Sequence, residues 1–187
     1  MAGLHLFWPL RAFFSFLNVM IVKNILIFIL LASVTFGFKA PDTGKMLPDI
    51  TIADLQGKPV KIQEYAKKTK ITVMSFWATW CSPCKRELDA IGELYPDWQE
   101  TYDMRLVAIT IDNARALTQV KPLIEEKGWE FDVLVDSKQE LQQALNFQAI
   151  PQTFVVDAAG NVLYQHEGYT PGDEYELEKI IKEFASK

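Results

Sequence analysis

The chain has 187 residues, about one ordinary domain's worth, and its 49% hydrophobic content conceals two unlike parts. Residues 1–40 hold 28 apolar residues, the cations Arg11, Lys23 and Lys39 and no Asp or Glu, a charge of +3; residues 41–187 hold all 24 acidic residues against 16 Lys and Arg, a charge of −8. This excludes two full domains, a polytopic membrane protein and a nucleic-acid binder working through a net basic surface, and the count of two Cys excludes a multi-disulfide scaffold.

In chain order, the first feature is the run Ile25 to Phe38, fourteen uncharged and mostly apolar residues. A membrane-spanning helix needs roughly twenty. Lys23 precedes the run, and Phe38-Lys39-Ala40 leads into the turn-like Pro41-Asp42-Thr43-Gly44, which is the layout of a secretory signal. A start at Met20 would give a signal of ordinary length. From Met1 the apolar stretch Phe13 to Phe38 is longer, interrupted by Asn18, Lys23 and Asn24. Residues 1–40 therefore read as a cleaved signal peptide, an uncleaved N-terminal membrane anchor, or a buried amphipathic element of a cytosolic protein. The first two export the acidic domain, cations staying inside, to the periplasm or the extracytoplasmic face of the inner membrane.

Residues 41–187 alternate strand and helix signals and form one expected domain. Ile50–Leu55 and Pro59–Ile62 flank Gln56-Gly57-Lys58 and predict a hairpin. Ile71–Trp77 is a near-continuous β-branched and aromatic run, the pattern of a buried central strand. After Cys81, Leu88, Ile91, Tyr95, Trp98 and Tyr102 recur at helical spacing, with a kink expected at Pro96. A strand at Leu106–Ile111, a helical stretch at about Ala114–Lys127 whose continuity Pro122 puts in question, a strand at Phe131–Val135 and a short helix at Gln139–Leu145 follow. The hairpin Thr153–Val156 and Val162–Tyr164 comes next, with His166 in a solvent-facing strand end, and a last helix runs over Gly172–Phe184. Asp173, Glu174 and Glu176 suit that helix's first turn, where its dipole favours negative charge. The fold class is α/β with a mixed sheet flanked by helices.

Both cysteines lie in Trp80-Cys81-Ser82-Pro83-Cys84-Lys85. Zinc needs four ligands, and only His5 and His166 could join them. Haem attachment needs His directly after the second Cys, where Lys85 stands. A structural disulfide over so short a loop would restrain the unfolded chain little. Reversible dithiol chemistry fits better: a strand ending near Trp77 and a helix starting near Cys81 put that sulfur at the helix N-terminus, where unpaired N–H groups and the dipole favour a thiolate. Lys85 and Arg86 add positive charge, Cys84 falls one turn on and more buried, and Pro83 sits in the first turn, where its missing N–H costs little.

Phe76-Trp77-Ala78-Thr79-Trp80-Cys81-Ser82-Pro83-Cys84-Lys85 and Ile150-Pro151-Gln152-Thr153-Phe154 resemble the active-site and cis-proline segments of the thioredoxin superfamily. The resemblance covers about Leu47 to Lys187. With the N-terminal segment, the extra hairpin and Glu87, it is similar to the exported or membrane-tethered reductases of the TlpA and ResA type. It implies a thioredoxin-like fold and catalytic residues Cys81 and Cys84. Pro83, Trp80, Ile150 and a cis Pro151 would lie around the substrate, and no cofactor beyond the Cys81–Cys84 redox disulfide is implied. Where cytosolic thioredoxins carry a buried Asp, this chain has Ser75. Glu87, three residues past Cys84 and so on its helical face, is the candidate to take the Cys84 proton. Trp77 and Phe154 would add apolar surroundings or serve as plain core.

The resemblance implies disulfide-containing envelope proteins as partners, apo-cytochrome c first among them, and a membrane electron donor. Pro before the second Cys resembles reducing members. Peroxidases of the alkyl hydroperoxide reductase and thiol-specific antioxidant type share the fold but resemble a Pro…Thr…Cys pattern, where this chain has Met74 and Ala78. A copper carrier of this fold would want three residues between the cysteines and an accessible His; the spacing is two. A non-catalytic module would leave the dithiol idle.

Overall fold

The structure, a computed structural model, describes residues 44–186; the signal or anchor expected over residues 1–40 lies outside them. Strand β3, Ile71–Trp77, has every residue buried because strands flank both its edges and helices cover its faces, which is what its near-continuous β-branched and aromatic run demands. It lies parallel to β4, Met104–Thr110, on one side and antiparallel to β6, Gln152–Asp157, on the other. With β1 (Thr51–Asp54), β2 (Pro59–Lys61), β5 (Asp132–Val135) and β7 (Val162–Glu167) they make a seven-stranded mixed sheet in the order β2-β1-β5-β4-β3-β6-β7. β1 and β2 pair antiparallel as an N-terminal hairpin, and β1 docks antiparallel on β5.

The helices are α1 (Ile62–Ala66), α2 (Ser82–Thr101), α3 (Val120–Lys127), α4 (Glu140–Leu145) and α5 (Asp173–Ala185). Ile62, read as the end of a strand, instead starts α1, because Ile62, Tyr65 and Ala66 at i, i+3 and i+4 bury one helical face. α2 runs on through Pro96 to Thr101, with Leu88, Ile91, Tyr95 and Trp98 buried along one stripe. Pro122 does not break its segment. A 3-10 turn at Ala116–Gln119 precedes α3 and leaves Pro122 third in the helix, where no intrahelical N–H bond is lost. Gly128 closes α3 at φ +65°, a left-handed cap that glycine takes without strain.

β7 extends three residues beyond the expected hairpin end, because its pairing with β6 continues to Gln152↔Glu167. Phe76, Phe147 and Phe154 interlock edge-on or tilted on one side of the sheet, and Trp77 meets Trp129 edge-on at 5.2 Å. Edge-to-face geometry suits the ring quadrupole. The register also aligns Ser75 with Thr153 and Thr153 with His166 across three adjacent strands, so the three side chains emerge on one face.

Candidate active site

β3 ends at Trp77, and Ala78-Thr79-Trp80 turns the chain into α2. Cys81 is the N-cap of α2, in extended conformation (φ −88°, ψ 99°), and its Sγ accepts the Cys84 N–H at 3.2 Å. A sulfur so placed meets the helix's unpaired donors, the arrangement that stabilises a thiolate once the bond is reduced. Cys81 and Cys84 are joined in a disulfide with Cα atoms 5.4 Å apart. Cys81 is 4% exposed and Cys84 fully buried, so the first sulfur is the reachable one. Pro83 is the second helical residue. Trp80 is 68% exposed beside the dithiol.

The loop before Cys81 is held at Thr79 from two sides. Buried Asp112 accepts the Thr79 N–H at 2.8 Å, the Thr79 hydroxyl at 2.9 Å and the Thr110 hydroxyl at 2.7 Å. Lys85 Nζ donates to the Thr79 carbonyl at 3.0 Å, so the cation read as an electrostatic neighbour of Cys81 is also a clasp on its loop. Across from the dithiol, the Ile150–Pro151 peptide is cis, and the Ile150 carbonyl oxygen lies 3.9 Å from Cys81 Sγ. The Pro151 carbonyl is occupied by the Gly168 N–H at 2.8 Å. Trp77 and Phe154 are fully buried in the core and line no surface.

Glu87, on the Cys84 face of α2, is 4% exposed. Its Oε2 accepts the Ser75 hydroxyl and its Oε1 the Thr153 hydroxyl, both at 2.8 Å. Burial pushes its carboxyl up to about 7, more strongly than the Thr153 and Ser75 bonds pull it down. A carboxyl titrating there can change charge at neutral pH, where an exposed Glu stays ionised.

The structure brings together six of the seven sequence-predicted site residues around the dithiol end of α2: Cys81, Cys84, Pro83, Trp80, Ile150 and Pro151; Glu87 lies one turn below. Sequence reasoning missed Thr153 and Asp112. Thr153 was legible only as one half of a cross-strand pair with Ser75, which requires the strand order. Asp112 carried no motif; a carboxylate just past a strand end is a common cap.

A thioredoxin-like sheet presenting a two-residue-spaced dithiol at a helix N-terminus defines a thiol-disulfide oxidoreductase. Residues 43–165 match the AhpC/TSA family, and the chain belongs to it. It is similar to the thiol-disulfide oxidoreductase ResA of Bacillus thuringiensis (strain Al Hakam), with 30% identity over 173 residues, 87% of this chain and 97% of that protein. Among solved structures it resembles an uncharacterized thioredoxin-like protein from Porphyromonas gingivalis, with 42% identity, a TM-score of 0.66, and 75% of this chain and 92% of that one covered. A thiol:disulfide interchange protein of the thioredoxin family from Chlorobium tepidum TLS gives 26% identity, a TM-score of 0.60, and coverage of 75% and 96%. The family's name is also that of peroxidases with a Pro…Thr…Cys pattern; in this chain Met74 and Ala78, at the positions of that pattern, are apolar and fully buried.

Proposed function

We propose that this oxidoreductase reduces disulfides of proteins outside the cytoplasm. The reading rests above all on one observation: the outer sulfur, Cys81, caps α2 and accepts a helix N–H, with the Glu87 carboxyl buried a turn below the inner sulfur. In the reduced enzyme the Cys81 thiolate attacks one sulfur of a partner disulfide, forming a mixed disulfide and releasing the partner's other sulfur as a thiolate. Cys84 gives its proton to the Glu87 carboxylate and attacks Cys81 Sγ. The Cys81–Cys84 bond forms, and the partner leaves with both sulfurs reduced. Two electrons pass from the dithiol to the partner.

Trp80, exposed beside Cys81, and Pro83 form the partner-facing rim, and the backbone at Ile150–Pro151 receives an extended segment of it. Residues 1–40, as signal or anchor, carry the domain at residues 41–187 across the membrane. The workplace is then the periplasm or the outer face of the inner membrane, where disulfides persist, and electrons must come from a membrane donor. Disulfide-containing envelope proteins are the substrates, apo-cytochrome c foremost, which places the enzyme in cytochrome c maturation.

Equilibration against glutathione with thiol trapping tests the direction. A potential near the thioredoxin value of about −270 mV is expected; one near the DsbA value of about −120 mV would make the protein an oxidant.

A further inference from the structure

The polar row beneath α2 does not end at the two hydroxyls that hold Glu87. Ser75, Thr153 and His166 are successive cross-strand partners on β3, β6 and β7, so the imidazole stands on the same sheet face as the cradle. His166, expected at a solvent-facing strand end, stands on the edge strand β7 with its side chain 37% exposed. Its Nε2 lies 3.2 Å from Asp173 Oδ2 at the start of α5. Glu87, Thr153, His166, Tyr169 and Asp173 line one small cavity. The row thus runs from a buried carboxyl to a His166–Asp173 contact that reaches solvent.

We propose that His166, held by Asp173, is a positioning residue that acts through Glu87: the charge on the imidazole decides how firmly the buried carboxyl keeps its proton. The proposal rests on Glu87 as the proton acceptor for Cys84. After each resolving step Glu87 holds the Cys84 proton and must release it before the next cycle. An imidazolium on the same sheet face favours the carboxylate and so favours release, and Asp173 opposes it. The other titratable groups around this cavity are Tyr164 on β7, Tyr169 in the β7–α5 loop and Glu174 on α5. Tyr169 donates its hydroxyl to Glu174 at 3.0 Å, with burial and that carboxylate holding the phenol protonated. His166 is the one side chain lining this cavity that can carry a positive charge.

The test reads Glu87 directly, by carboxyl ¹³C NMR titration of the full chain with its disulfide closed, the resonance assigned by its loss in Glu87→Gln. His166→Gln should strengthen proton binding at Glu87 by about threefold or more. His166→Lys, which keeps a cation there, should bring the midpoint back to the wild-type position or below it. A packing role for the imidazole would not give an upward shift with Gln that Lys cancels, and His166→Asn serves as a second neutral replacement. Midpoints unchanged in all variants, or moved upward by Lys as well as by Gln, would overturn the coupling. A separate measurement follows the pH profile of the resolving step in Glu87→Gln. If that profile matches wild type while the Glu87 midpoint still follows His166, the coupling stands and the assignment of Glu87 to the chemistry falls. If the profile depends on Glu87 and the midpoint ignores His166, the coupling alone falls.

Discussion

Ser75 on β3 donates its hydroxyl to Glu87 Oε2 on α2 at 2.8 Å, and both side chains are buried. A serine cannot carry the proton that a strand carboxylate would, but it can hold a carboxylate that arrives from the helix. The buried carboxyl of this site thus stands on the helix that follows Cys81, with Thr153 completing its support from β6.

Removing those supports should shift the site's pH dependence upward. Both hydroxyls favour the ionised carboxylate, Thr153 more than Ser75, so Thr153→Val and Ser75→Ala each leave Glu87 holding its proton to higher pH than about 7. The rate at which Cys84 resolves a mixed disulfide, followed against pH, should show a midpoint moved up in both variants and further in Thr153→Val. A downward shift would mean that the hydroxyls serve the neutral acid.

Glu87 should also make stability depend on pH. Its carboxyl lies near 4.5 when unfolded and at about 7 when folded, so between those values the native state binds the extra proton and stability falls as pH rises. The stabilisation is fully present below about 4.5 and lost by the time pH passes about 7. The difference corresponds to about 3 kcal/mol. Glu87→Gln cannot titrate, so its stability relative to wild type should rise by about that amount between pH 4 and pH 8, as read by urea unfolding at each pH. A constant difference would contradict the burial account.

Much of this site could be read from the sequence because the decisive residues are neighbours in the chain. Cys81, Pro83, Cys84 and Glu87 fall within two helical turns, so helix periodicity alone orders them, and the near-continuous β-branched and aromatic run of β3 announced the central strand that aims the helix. The cradle was not legible in the same way. Thr153 is 66 residues from Glu87, and only the antiparallel register of β6 on β3 makes it a partner. His166 does lie on the edge strand β7 with a part-exposed side chain; its contact with Asp173 at the start of α5 was not legible, because that helix folds back only in three dimensions. α1 was missed because five residues show too little periodicity to tell from a strand end.

Asp112 should matter to the loop that carries Cys81. Its carboxylate takes three hydrogen bonds while 1% exposed. Asp112→Ala would strand the Thr79 N–H and two hydroxyls, at a cost of about 2–4 kcal/mol in urea unfolding. Because Thr79 lies two residues before Cys81, the same variant should shift the dithiol's reduction potential measured against glutathione. Full stability together with an unchanged potential would show that the loop is held elsewhere.

The central claim is that Cys81 attacks and Cys84 resolves. Its most direct measurement is non-reducing electrophoresis and mass spectrometry of Cys84→Ser and Cys81→Ser, each incubated reduced with a disulfide-containing protein. Cys84→Ser should accumulate a mixed disulfide through Cys81, and Cys81→Ser, whose remaining sulfur is fully buried, should form none. Mixed disulfides through Cys84, or turnover in Cys81→Ser, would contradict the account.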